Sequence, residues 1–270
     1  MRSPLTYYGG KNTMLKHILP LIPPHRIYTE SFAGGASVLF AKARCECEII
    51  NDLNGEIVNF YHIVKNDYPA LKKEIDSTLH SRDIHQHANH ILNYPYFFNP
   101  VKRAWAVWTL SKMSFAANLE GTFGYDFSGG MSLKLQNSKD LFTQSISKRL
   151  EYVTIENRDA LQVISAYDQK DTFHFVDPPY VETTCGHYNN MFNEKDLQNL
   201  LELLSSIQGK FMLTMFPHTM INEYTQRNSW FRTPVQRTIS ASKTTRRKQE
   251  EWITTNYLVQ TRLSLFQNMY

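Results

Sequence analysis

Cysteine is scarce in this chain, three in 270 residues, at Cys45, Cys47 and Cys185. That spacing makes neither a disulfide framework nor a Cys-x-x-Cys pair. Cys45-x-Cys47 without a second ligand pair reads as strand packing, so no metal is expected. Long apolar runs are also lacking. No stretch reaches the roughly 18 consecutive apolar residues needed to cross a bilayer, and residues 1–11 hold no run of signal-peptide length, which sets the expectation of a cytoplasmic protein. Charge of one sign is weak overall, with 29 Lys+Arg against 25 Asp+Glu. Neither an H-E-x-x-H helix nor a G-x-G-x-x-G dinucleotide turn occurs, which argues against a zinc hydrolase and a nicotinamide-dependent oxidoreductase. What is present is a globular composition, 42% hydrophobic and 20% charged, in a chain long enough for one large domain with an insertion.

Two α/β regions flank a different middle. The first, RIYTESFAGGASVLFAKA, reads as a strand (Ile27 to Ser31), a turn at Gly34-Gly35 and a helix from Ser37; a second strand follows, EIINDLN, with Asp52 at its tip. The last region contains the strand TFHFV and a helix whose Leu197, Leu200, Leu201 and Leu204 fall on one face, started by Asn193 with Asp196 three residues later. The strand KFMLT comes next, and VQRTIS and EEWITTNYLV form a hairpin-like ending. Between these regions, residues 61–150, the strand–helix alternation stops. This stretch carries His80, His85, His87 and His90, the helical run VKRAWAVWTLSKM and the glycine-rich NLEGTFGYDFSGGMS. An inserted, mainly helical subdomain with a flexible tip follows, its histidines on exposed polar faces. The domain division expected is therefore 1–60 with 151–270, and 61–150 inserted.

Two constellations carry chemistry. A glycine turn after the first strand, with an acid about 18 residues on, suits a cofactor bearing adenosine: the glycines let backbone N–H groups approach, and the carboxylate takes ribose hydroxyls. The second is Asp177-Pro178-Pro179-Tyr180 at the end of FHFV. Paired prolines cannot continue a sheet ladder, so the strand stops in a stiff loop that fixes a carboxylate, a carbonyl and an aromatic ring. In open α/β sheets such strand ends are where ligands bind.

Together with YYGGK (Tyr7 to Lys11) and SFAGG (Ser31 to Gly35), the DPPY motif resembles the Dam-like, D12 class DNA adenine-N6 methyltransferases, in that family's order of motifs. NDLN, NRDALQVI, Tyr188 and Phe192 of HYNNMF, and EEWITTNY extend the resemblance over both flanks. Ser31 stands where the family commonly has proline. The resemblance implies a Rossmann-like, S-adenosylmethionine-dependent methyltransferase sheet with an inserted, mainly helical target-recognition subdomain. It also implies double-stranded DNA as partner and, in a restriction-modification setting, a cognate endonuclease.

Carried over by position, Tyr7, Lys11, Phe32, Ala33, Gly34 and Gly35 would seat the methionine end of the cofactor. Asp52 would take its ribose and Asp159 its adenine amino group, with Asp177 counted among the cofactor contacts as well. Asp177 and the Pro178 carbonyl would accept the two hydrogens of adenine N6, Pro179 would stiffen the loop, and Tyr180 would stack on a base flipped from the duplex. DNA contacts are expected from Asn118 and Tyr125 in the insert, from Tyr188, and from Lys243, Arg246, Arg247 and Lys248, four cations in six residues. The tip SFAANLEGTFGYDFSGG does not reproduce the motif of relatives that methylate GATC, so that sequence is not assigned. An amino-methyltransferase acting on RNA or on a protein glutamine is the neighbouring alternative, although the glutamine enzymes typically have Asn where this chain has Asp177. A nonenzymatic DNA-binding protein on a degenerate scaffold is the alternative from another class.

Overall fold

A computed structural model describes residues 1–7, 9–181, 192–239 and 247–259. In chain order the elements are α1 (Leu15–Ile18), β1 (Ile27–Glu30), α2 (Ser37–Ala41), β2 (Cys47–Asn51), α3 (Gly55–Asn66), α4 (Tyr68–Ser77), α5 (Arg82–Asn93), α6 (Pro100–Met113), α7 (Gly130–Leu141) and α8 (Gln144–Leu150). They continue with β3 (Val153–Glu156), α9 (Ala160–Ala166), β4 (Thr172–Val176), α10 (Glu194–Leu204), β5 (Lys210–Met215), α11 (Thr219–Arg227), β6 (Phe231–Ile239) and β7 (Arg247–Thr255). The strands form a seven-stranded sheet in the order β3-β2-β1-β4-β5-β7-β6. β4 runs parallel to β1 and to β5, whereas β7 is antiparallel to both β5 and β6. This is the α/β architecture expected. The Rossmann-like run of parallel strands ends in the β6–β7 hairpin.

The chain packs as two compact units, one of Met1–Thr13, Ala33–Lys42 and Ile49–Asp159, the other of Met14–Phe32, Ala43–Glu48 and Ala160–Tyr270. In the first, helices α3 to α8 follow one another without a strand. Their starts are written locally: Asn54 caps α3 through the Glu56 N–H, Ser81 caps α5, and Asn99 accepts from the Lys102 N–H with Pro100 at the first helical position of α6. Nearly every side of α6 is buried, Ala104 through Ser111, which is why its run shows no clean polar stripe. Trp108 meets Phe142 edge-on at 6.4 Å, and Phe60 meets Tyr61 at 5.4 Å. The four histidines do not share one environment. His87 and His90 are exposed as expected, but His80 is half-buried and His85 is buried, with its ring nitrogen 3.0 Å from the Ser114 hydroxyl.

In the second unit β4 is buried along its whole length, the pattern of a parallel strand covered on both faces. His174 inside it lies 2.8 Å from the Thr29 hydroxyl of β1, and burial pushes its imidazole down to about 4. It is therefore a neutral core group. Leu197, Leu200, Leu201 and Leu204 close over β4 and β5 with Phe211, Leu213 and Met215. α10 begins with a full capping box between Asn193 and Asp196. Among the described residues no helix is long and apolar enough to cross a membrane.

Candidate active site

In the first unit the glycine turn is built around one carboxylate. Gly34 adopts φ +44°, and a Cβ there would lie 2.8 Å from the Tyr7 ring, so both the backbone and the space require glycine. Its N–H donates to Asp52 Oδ2 at 2.7 Å, while Asp52 Oδ1 accepts the Asn54 N–H at 2.9 Å. Tyr61 of α3 donates its hydroxyl to the Gly34 carbonyl at 2.8 Å, and Ala33 N–H donates to the Asn51 carbonyl. A Cβ on Gly35 would meet Tyr7 Cβ at 3.3 Å. Burial pushes the Asp52 carboxyl above its ordinary value, and the Asn54 and Gly34 N–H groups pull it back in part.

The loops after β2 and β3 are stitched together. Asn51 and Arg158 exchange hydrogen bonds, the side-chain amide donating at 3.0 Å and the Arg158 N–H donating back at 2.9 Å, while Asn157 donates to the Asp52 carbonyl at 2.8 Å. Asp159 is exposed on that second loop. Lys11 is buried and donates to the Gly9 carbonyl at 3.0 Å, and Lys112 of α6 fastens the segment by donating to Thr6, beside Tyr7.

In the second unit Asp177 follows β4 directly. Val176 pairs with Leu213, so the parallel register sets Asp177 beside Thr214, whose hydroxyl donates to Asp177 Oδ1 at 2.8 Å. Pro178 is buried; Pro179 and Tyr180 are half-buried. The Tyr180 hydroxyl lies 2.8 Å from Glu251 Oε1 and 3.4 Å from Asp177 Oδ1. Its ring meets Phe216 edge-on at 4.4 Å. Phe32 packs edge-on against Phe192 at 6.1 Å. Glu251 is fully buried on β7.

Of the expected DNA contacts, Asn118 and Tyr125 lie on the tip that follows α6. That tip is tied by a Ser114–Phe123 bridge and contains two successive left-handed alanines, Ala116 and Ala117, each an uncommon conformation for a residue with a Cβ. Asn118 turns the chain by accepting the Glu120 N–H at 3.1 Å. Tyr125 and Phe127 are largely exposed, and the Arg82 guanidinium lies 5.7 Å from the Tyr125 ring centre. Tyr188, Lys243 and Arg246 lie outside the described residues, and Arg247 and Lys248 are described only as backbone at the start of β7. Among the described residues no three His, Cys, Asp or Glu side chains converge as a metal site would require.

Residues 7–249 match the family described as D12 class N6 adenine-specific DNA methyltransferase. The chain belongs to this family. Among similar proteins, the modification methylase StsI of Streptococcus sanguinis is 25% identical over 79% of this chain and 35% of its own length. The type II methyltransferase M1.LlaDCHI of Lactococcus lactis subsp. cremoris is 24% identical over 92% of this chain and 93% of its own. The type II methyltransferase M.MjaIII of Methanocaldococcus jannaschii is 27% identical over 65% and 68%. The chain thus spans about a third of StsI and nearly all of M1.LlaDCHI.

Three side chains that contact the D12 motifs escaped the sequence reading: Tyr61 on the glycine turn, Thr214 on Asp177, and Glu251 on Tyr180. Thr214 was within reach of it, because a polar residue closing a buried strand beside another strand's terminal acid is a signal. Tyr61 and Glu251 depend on packing.

Proposed function

We propose that the protein methylates the N6 amino group of adenine in double-stranded DNA, with S-adenosylmethionine as donor and the target base flipped out of the duplex. The observation that carries this reading is the Asp177 carboxylate, held by Thr214 at the mouth of a proline-stiffened loop next to the Tyr180 ring. Adenine N6 is a weak nucleophile because its lone pair is delocalised into the ring. Asp177 and the Pro178 carbonyl accept its two hydrogens, which localises the pair as positive charge develops on nitrogen. Tyr180 offers its face to the extruded base.

The glycine turn fits the cofactor. Tyr7 packs directly against its glycines, and Asp52 keeps acceptor capacity beyond its two N–H bonds for ribose hydroxyls. S-adenosylmethionine supplies an electrophilic methyl group on a sulfonium centre. Tyr7, Lys11 and the segment Phe32 to Gly35 hold its methionine end, Asp52 its ribose and Asp159 its adenine.

On this reading the insert 61–150 selects the DNA sequence through the tip bearing Asn118 and Tyr125, with Tyr188 also on the DNA. Lys243, Arg246, Arg247 and Lys248 grip phosphates. Neutralising Arg246 and Arg247 then flattens the log–log salt dependence of binding by about 0.9 per lost contact, on every DNA sequence alike. The type II names of the relatives suit a modification enzyme paired with a restriction endonuclease, working on DNA in the cytoplasm. Incubation with methyl-labelled S-adenosylmethionine and mixed-sequence DNA, followed by nucleoside analysis, tests the function: label in N6-methyladenine supports it, and label in cytosine, RNA or protein overturns it.

A further inference from the structure

The Tyr180 hydroxyl has one hydrogen and two carboxylates within reach, Glu251 at 2.8 Å and Asp177 at 3.4 Å. One hydroxyl donates one conventional hydrogen bond, and the shorter contact takes it. Glu251 comes from β7, a strand remote in sequence from the Asp-Pro-Pro-Tyr loop, and it is fully buried. Burying a carboxylate is costly unless strong partners hold it, and the Tyr180 hydroxyl is one of them.

We infer that Glu251 is a positioning residue that draws the Tyr180 hydroxyl away from Asp177. This rests on the proposed role of Asp177 as acceptor of the adenine N6 hydrogens. Each protein donor that settles on Asp177 competes with the amine for the same oxygens and damps the charge that polarises it. Thr214 is such a donor at 2.8 Å, and it fixes the carboxylate's orientation. A further one, from Tyr180, would add competition without adding orientation. With Glu251 as its acceptor, the phenol is tethered at its far end while Phe216 sets the ring from the side. Tyr180 thereby presents a face to the base and adds no donor of its own to Asp177. Without an acceptor at position 251, the hydroxyl turns to the next carboxylate, 3.4 Å away.

Removing the Tyr180 hydroxyl therefore repairs damage done at Glu251. Glu251→Leu lowers kcat by about thirtyfold, the range of one hydrogen bond to a charged group, with the cofactor KM nearly unmoved. Tyr180→Phe alone lowers kcat by about threefold, through the lost tether. The double variant returns to the level of Tyr180→Phe, so the second substitution restores about tenfold. Glu251→Gln retains a carbonyl acceptor, falls by about threefold, and that penalty disappears in the Tyr180→Phe background. This second cycle decides the matter if Glu251→Leu does not fold.

Penalties that multiply in both cycles would overturn the inference and leave Glu251 a structural residue. Asp177→Ala, measured alongside, separates the two levels. If it retains turnover, the acceptor reading itself fails; if it is inactive while the cycles multiply, only the role of Glu251 fails.

Discussion

The two acids assigned to cofactor and to substrate each stand just past a sheet strand, Asp52 after β2 and Asp177 after β4, yet donors of different kinds hold them. Asp52 is held by main-chain N–H groups, those of Gly34 and Asn54. Asp177 is held by a side-chain hydroxyl, that of Thr214, with the Tyr180 hydroxyl near it. Backbone donors are fixed by the turn and cannot rearrange without breaking it, which suits a carboxylate that binds the same cofactor in every cycle. Hydroxyl donors can rotate, and a carboxylate among them keeps charge to offer a substrate that arrives and leaves. The difference separates binding from chemistry.

The largest effect is expected at Asp177. Asp177→Ala lowers single-turnover methylation by about a thousandfold, the scale of losing a preorganised transition-state acceptor, while circular dichroism and cofactor affinity stay near those of the parent. Asp52→Ala acts in the other column. Loss of a charged acceptor for the ribose weakens S-adenosylmethionine binding by about 1.5–3 kcal/mol, measured by calorimetry, and turnover recovers at saturating cofactor. Gly34→Ala tests the turn that holds Asp52. A methyl group 2.8 Å from the Tyr7 ring, on a backbone at φ +44°, costs about 1–3 kcal/mol of stability, read as a lower denaturant midpoint with cofactor affinity falling in parallel.

The smallest effect is in pH. Because burial holds the Asp52 carboxyl above the ordinary carboxylate value, acidification neutralises it earlier than an exposed aspartate, and cofactor affinity begins to fall above the usual range of about pH 4. The sign for stability is opposite. A folded-state pKa raised above the unfolded one contributes stability that is complete at low pH and lost as pH rises through the folded value, so acid in this window weakens binding without unfolding through this group. In Asp52→Asn the affinity should be flat across the same window.

How much of this could be read from the sequence follows the same division. β4, β5 and the α10 cap at Asn193 are local patterns, and each formed where its residues predicted; the final hairpin also formed, but β6 and β7 begin earlier than VQRTIS and EEWITTNYLV, so that Arg247 and Lys248 belong to β7 and not to the segment between the strands. The turn at Gly34-Gly35 was legible as a local motif, but part of the requirement for glycine at position 34, the Tyr7 ring, comes from a separate segment of the chain. The first two strands came out slightly shorter than read, β1 ending at Glu30 and β2 at Asn51, since Ser31 and Asp52 belong to the turns that follow. The polar partners of Asp177 and Tyr180 were not legible. Thr214 is 37 residues from Asp177 and Glu251 is 71 from Tyr180, and only sheet order brings such positions together. His85 shares the buried face of α5 with Ala88 and Ile91, and the Ser114–Phe123 tip folds against it.

The most direct measurement takes Asp52→Ala and Asp177→Ala side by side, recording for each the calorimetric affinity for S-adenosylmethionine and the single-turnover rate of N6-adenine methylation at saturating cofactor. The predicted result is a crossed pattern, with affinity lost and rate kept for Asp52→Ala, and affinity kept and rate lost for Asp177→Ala. Near-normal methylation by Asp177→Ala, or equal loss of both quantities in both variants, would contradict the division of labour between the two acids.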